Sequence, residues 1–331
     1  MLFLCRSVAS NPQPILLNIT SMPNQSNEHK APSSRSSGDV PPAKPMECPA
    51  APSFPARHSR PDKIIVSGGF HSMSLNETTR QVLRLVEESS GIPVHVEPDP
   101  NLPGTLLATV TMARGKVALH RVVYRPNSAT PPDYLICKQA GFILRLFATP
   151  PESRKDFAGT AAANLAVERL VKEHPVAQLL PPAALPQFVQ MLRDGLLQHL
   201  RSIPVGMRVD RWLASEFPEL KELQRQAVQQ QLQDAVLTLA PQHRQSTPRL
   251  IFDATQGISA AFAAFWSQRL EQPQLTLPYK ATGHLEAGAS LLAIWEAVPD
   301  LPENDSQLVD RWAEWFGIAD WCQWVPYSAP K

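Results

Sequence analysis

A chain of 331 residues, 43% of them hydrophobic, is long enough for two packed domains and too apolar to be disordered throughout. Its 31 basic and 30 acidic side chains nearly cancel, which excludes a broad electrostatic footprint for nucleic acid or an anionic membrane. Four scattered cysteines, Cys5, Cys48, Cys137 and Cys322, lie at no CxxC spacing, so neither a disulfide framework nor a zinc knuckle is implied.

The first 72 residues are rich in Pro, Ser, Asn and Ala, as in Val40-Pro-Pro-Ala-Lys-Pro45, and such a segment buries too little apolar surface to offset its ordering entropy. It reads as disordered. Met1-Leu-Phe-Leu-Cys-Arg6 lacks the charged and apolar regions of a signal peptide, and no later run approaches a membrane span, so the expectation is a soluble, cytoplasmic chain. Ser74 to Glu88 carries a capping residue, a glutamate three places on and apolar Val82, Leu83, Leu85 and Val86 before Gly91, which predicts a helix. Ile92 to Glu97 predicts a short strand. Thr105 to Tyr124 alternates and is β-branched, with turn chemistry at Ala113-Arg-Gly-Lys116, which predicts a hairpin. Pro131 and Pro132 then open a helix that Pro150-Pro151 stops, with Leu135, Ile136, Gln139, Phe142, Ile143 and Leu146 at helical spacing.

Beyond His174-Pro175 the pattern becomes wholly helical. Helices are predicted at 185–200, at 218–232 with Leu220, Leu223, Ala227 and Val228 on one stripe and solvated glutamines opposite, at 258–270, and at 285–295. All seven tryptophans lie between Trp212 and Trp324. Leu308, Val309, Trp312 and Phe316 share a helical face before Gly317, whereas Trp315 and Trp324 fall off it, so core packing is expected for part of that cluster. The fold class expected is α+β: a disordered segment at 1–72, a small helix, hairpin and helix domain at 73–175, and an all-α domain at 176–331.

The helix after the hairpin carries the most specific pattern. In an HExxH helix two histidines four residues apart bind zinc and the glutamate between them polarises the metal-bound water. Here those places hold Lys138, Gln139 and Phe142. A protonated lysine has no lone pair, phenylalanine has no ligand atom, and glutamine accepts no proton at neutral pH. Gly141 is the informative residue, since a mid-helix glycine costs about 1 kcal/mol relative to alanine and so signals a close backbone approach.

Strand, loop and helix in this order, with Lys138-Gln-Ala-Gly-Phe142 matched at its glycine, resemble the ImmA/IrrE family of metallopeptidases. A second helix in that family carries the third ligand, a glutamate, shortly before an Ala-Asn pair; Ala163-Asn164 is similar here, with Thr160, Ala161 and Ala162 where the glutamate belongs. The resemblance implies a zincin-like domain that has lost its metal site, with no metal, no cofactor and no catalytic residue. It also implies a retained substrate groove, with the hairpin edge from Val117 to Val123 open to strand addition by a protein or peptide partner. The plainer reading of 131–147 is an amphipathic core helix whose Lys138 snorkels to water and whose Phe142 packs. An active hydrolase built on Cys137 and His120 is the alternative from another class, and a purely structural interaction module is a third. Phosphate loops, nucleophile elbows and EF-hand spacing are absent from the sequence.

Overall fold

The computed structural model describes residues 75–102, 106–126 and 132–330. The proline-rich segment read as disordered lies outside them, together with Cys5 and Cys48. Helix α1 (Glu77–Ser90) opens where the Asn76 side chain accepts from the Thr79 N–H, and it closes on Gly91 at φ 69°, the left-handed turn that glycine adopts freely. The start falls past the expected Ser74 because Asp133 accepts from both the Asn76 N–H and the Thr79 hydroxyl, fixing the cap at Asn76.

Strands β1 (Val94–Pro98), β2 (Ala108–Thr111) and β3 (His120–Tyr124) form a sheet of order β1-β3-β2, with β1 parallel and β2 antiparallel to β3. The hairpin is as expected, and Gly115 at φ 56° makes its turn between Arg114 and Val117. Its second strand is not an open edge, however. β3 is central and paired on both sides, so the expected strand addition along Val117 to Val123 is closed over residues 120–124. The outer side of β1 is blunted as well: the Val94 N–H donates to Glu87, and Pro93 and Pro98 have no N–H to offer.

Helix α2 (Pro132–Ala148) lies at the centre of the molecule, with fourteen of its 17 residues buried, so it is enclosed nearly all round and presents almost no solvent face, its Lys138, Gln139 and Arg145 included. After it come β4 (Lys155–Gly159), α3 (Ala161–Glu173), α4 (Leu185–Glu216), α5 (Lys221–Leu237), α6 (Pro241–Ser246), α7 (Arg249–Arg269), α8 (Leu277–Ala281), α9 (Leu285–Ala297), α10 (Asp305–Trp315) and β5 (Cys322–Pro326). The sequence pattern ends α4 at 200, yet the helix runs on through Pro204 to Glu216. Burial overrides the proline here, and Trp295 Nε1 donates to the Pro204 carbonyl at 2.9 Å.

Two expectations about the second half are corrected. The region beyond 175 is not all helix, because β5 pairs antiparallel with β4 from Lys155↔Pro326 to Gly159↔Cys322. Nor does packing break at 175: one buried cluster runs from Val82 to Tyr327 and takes in residues of both halves. The glutamine face of α5 is also only partly solvated, since Gln224 and Gln231 are buried. Of the tryptophans, Trp212, Trp266, Trp295, Trp312 and Trp321 are core residues, and Trp315 is 44% exposed.

Gly141 meets its expectation. A methyl group there would run into Val209 of α4, and one turn earlier on α4 the bare Gly206 leaves room for Lys138 Cε and Phe142 Cζ, each 3.5 Å from where its Cβ would be. The two helices therefore cross through reciprocal glycine notches. Gly141→Ala is expected to destabilise the protein by about 1–2 kcal/mol in urea titrations, overpacking outweighing the gain in helix propensity. Val209→Ala in the same background restores part of that loss, and a Gly141→Ala protein at least as stable as the parent would mean that the crossing is not tight.

Candidate functional site

Lys138 does not reach water. Its ammonium lies 2.9 Å from Asp210 Oδ2 on α4, with the lysine and aspartate side chains 4% and 0% exposed. Tyr134, one turn earlier on α2, donates its hydroxyl to Asp210 Oδ1 at 2.6 Å, and Gln224 donates to the Asp210 carbonyl at 2.9 Å. Burial, and after it the Asp210 charge, holds the Tyr134 phenol well above its ordinary range. The Phe262 ring completes the surround, 5.6 Å from the ammonium. Where a zinc ligand would stand in an HExxH helix, this chain carries a cation neutralised in place by a carboxylate from the neighbouring helix.

Phe142 shares the Gly206 notch with Lys138 and also lines a cleft of about 70 Å³ between α2, β4, α4, α10 and β5. Phe142, Leu146, Val205 and Trp324 form its apolar wall, and Arg145, Arg154, Lys155 and Arg201 supply positive charge. Trp324 is fixed by an edge-on contact with Phe157 and by donating to Asp310 at 2.7 Å. Behind the wall, Arg145 grips Asp305 with two hydrogen bonds of 2.7 and 2.8 Å, and Arg208 reaches the same carboxylate at 2.9 Å. Asp300 takes ion pairs from Arg145, Arg208 and Arg211. Three guanidinium groups thus share two carboxylates. Burial raises the Asp300 carboxyl, and Arg145, Arg211 and Arg208 more than reverse that and hold it below the ordinary range.

The remaining sequence candidates do not join this cleft. Gln139 is buried beside Lys138 with its side-chain nitrogen unpartnered, a neutral amide where the metallopeptidase helix has its base. Thr160 caps α3 by accepting from the Ala163 N–H at 3.2 Å and donates to the Asp320 carbonyl at 2.7 Å. Ala161 and Ala162 are exposed, and none of these three lines the cleft beside Phe142. Asn164 is bound by Arg193.

Cys137 and His120 are likewise not brought together. The Cys137 thiol is directed at the Thr79 hydroxyl, 3.6 Å away, and burial pushes it up to about 12, out of nucleophile range. His120 accepts from the Ala113 N–H through Nδ1 and packs edge-on to Phe147. Desolvation by burial, then the charge of Arg114, lowers His120 to about 4, so the ring is neutral in the fold. A depressed folded pKa gives stability that is complete above the unfolded value near 6.5 and is lost as pH falls toward the folded one. About 2 kcal/mol is expected to go between pH 6.5 and pH 5 on this account. Denaturation midpoints across that range test it, since His120→Gln should reduce the slope, with the buried His199, which desolvation lowers to about 3, carrying the remainder, and an unchanged slope would rule His120 out.

Sequence reading missed Asp210, Asp300, Asp305, Arg201 and Arg208. One signal was present for Asp210: in Val205-Gly-Met-Arg-Val-Asp-Arg-Trp-Leu213, Asp210 falls among the apolar residues of a buried helix and so needs a buried cation. Among the described residues no three His, Cys, Asp or Glu side chains are grouped so as to hold a metal ion. Among the described residues no helix is long and apolar enough to cross a membrane. Comparison with family models, with curated proteins and with solved structures returns no match for this chain.

Proposed function

We propose that this chain is a catalytically silent, zincin-like protein related to the ImmA/IrrE metallopeptidases, and that it acts by binding a protein or peptide in the cleft beside Phe142. The relationship rests on the hairpin-to-helix order and on the spacing of Lys138 to Phe142 and of Ala163-Asn164. The observation that carries the binding reading is a divided helix: Lys138 is spent on Asp210, while Phe142 lines a cleft with an apolar wall and a cationic rim. Such a lining orients a ligand through a few polar groups and holds it by apolar contact. Neither Lys138, Gln139 nor Phe142 supplies a base or a zinc ligand.

Two measurements on the purified full chain test the proposal. Metal analysis, alongside digestion of a denatured protein with and without chelator, is expected to give no chelator-sensitive cleavage; stoichiometric zinc with cleavage that chelator abolishes overturns the silent reading. Benzoylphenylalanine placed at Ser153, on the exposed wall of the cleft, is expected to crosslink a pool of synthetic peptides better than the same group at Lys116 in the hairpin turn. Equal yields would defeat binding at the cleft.

A further inference from the structure

The charge around the cleft is unbalanced. Its lining holds four cations, Arg145, Arg154, Lys155 and Arg201, against two carboxylates, Asp305 and Glu303. Asp305 and Arg145 are committed to each other and to Arg208 and Asp300, which leaves Arg154, Lys155 and Arg201 against Glu303, exposed at the rim. Arg154 lies 4.4 Å over the Phe147 ring and donates to the Thr149 and Phe147 carbonyls, neutral acceptors that leave its charge uncancelled. Among the described residues the side chains of Arg201 and Lys155 make no hydrogen bond and no ion pair, although the Lys155 charge is felt at Asp310. Arg201 is nevertheless half-buried. A partly buried guanidinium with no carboxylate on it keeps its charge and its donors for an incoming anion.

We infer that the cleft takes the acidic side chain of a peptide segment, with its carboxylate against Arg201 and Lys155 and its neighbouring apolar residue on Leu146, Val205 and Trp324. This rests on the binding reading given above and names the class of segment. The size fits: about 70 Å³ holds a head group and part of its stem, on the scale of a few water molecules, and leaves the rest of the ligand outside. The apolar wall separates an acidic side chain from a bare anion, which satisfies the cations and leaves that wall wet. The planar fork of Arg201 matches a carboxylate in two-point contact, and the Lys155 ammonium adds a point charge from β4.

The test is fluorescence anisotropy of a labelled peptide alternating Asp and Leu, against its Asn-for-Asp counterpart, on the full chain. The Asp peptide is expected to bind at least tenfold more tightly than the Asn peptide, and to weaken as salt rises. Arg201→Gln and Lys155→Gln should each weaken it about tenfold, and Lys116→Gln, which removes an exposed charge from the hairpin turn, should not. Lys155 is exposed, so its variant keeps the test valid if Arg201→Gln fails to fold. Equal affinity for the two peptides overturns the acidic specificity and leaves peptide binding standing. Tight Asp binding that Arg201→Gln and Lys155→Gln affect no more than Lys116→Gln puts the site elsewhere and also overturns it. Failure of both peptides, or binding of inorganic phosphate alone, defeats the inference, while crosslinking at Ser153 separately decides the binding reading.

Discussion

Asp210→Ala is expected to lower stability by about 3–5 kcal/mol, because it leaves the Lys138 ammonium buried with no counter-charge. The Tyr134 hydroxyl also loses its acceptor in the same step. The informative comparison is the double variant Lys138→Met with Asp210→Asn, which removes both charges, nearly keeps the volume and leaves Tyr134 an acceptor. It should sit close to the parent, since attraction within a buried pair barely exceeds the desolvation of its members. Urea titrations at neutral pH measure all of these proteins. If the double variant is as unstable as Asp210→Ala, packing and not charge is what Asp210 contributes. The result bears on function too, because a Lys138 whose pairing can be replaced by uncharged side chains has a structural role and not a chemical one.

Asp305→Ala should have an effect of similar size, about 3–5 kcal/mol, for a different reason. Arg145 and Arg208 are 5% and 1% exposed, and losing Asp305 leaves them, with Arg211, dependent on Asp300 alone. An exposed pair gives the contrast: Glu222, held by Arg225 through two hydrogen bonds of 2.9 and 2.6 Å but 58% exposed, should tolerate alanine with little loss in spite of its similar geometry. Asp300 adds an acid limit to the same network. Its depressed carboxyl contributes stability that is complete above the unfolded value near 4 and is lost only as pH falls below that, so this loss comes at lower pH than the one assigned to His120. Thermal midpoints of parent and Asp305→Ala at neutral pH, in low and high salt, test the account. A drop under about 1 kcal/mol, or one that high salt abolishes, would show the network to be solvated.

What was legible in the sequence was local. The α1 pattern, the hairpin and its glycine turn, and the helix closed by Pro150 are written in nearest-neighbour chemistry, and each is present. Gly141 was legible for the same reason, since a helix former was forgone at a place where only a tight crossing explains it. Its partner Val209 was not, because nothing at 141 states which distant helix arrives. Lys138 shows the limit most clearly: the side chain alone suggests a stem snorkelling to water, and the carboxylate that makes burial tolerable lies 72 residues away. The cleft was hidden likewise, its walls coming from α2, β4, α4, α10 and β5, none of which carries a motif. Pro204 misled in the opposite sense, because local steric logic ends α4 where tertiary packing continues it.

The pairing of β4 with β5 sets the order in which this molecule can assemble. Lys155 pairs with Pro326 across most of the described chain, so one wall of the cleft is made by a long-range closure, and Tyr327, donating to the Ala113 carbonyl 214 residues away, anchors the same strand. That closure is repaid only after α3 to α10 have been positioned, which makes the strand pair a late event in folding and slows the approach to the native state. The same strands are the natural place for native-state opening to begin, since β5 is short and much of it faces solvent. Amide exchange at Gln323 to Val325 should therefore run ahead of exchange in α2, and a ligand seated against Trp324 would slow it, coupling occupancy of the cleft to the last step of folding.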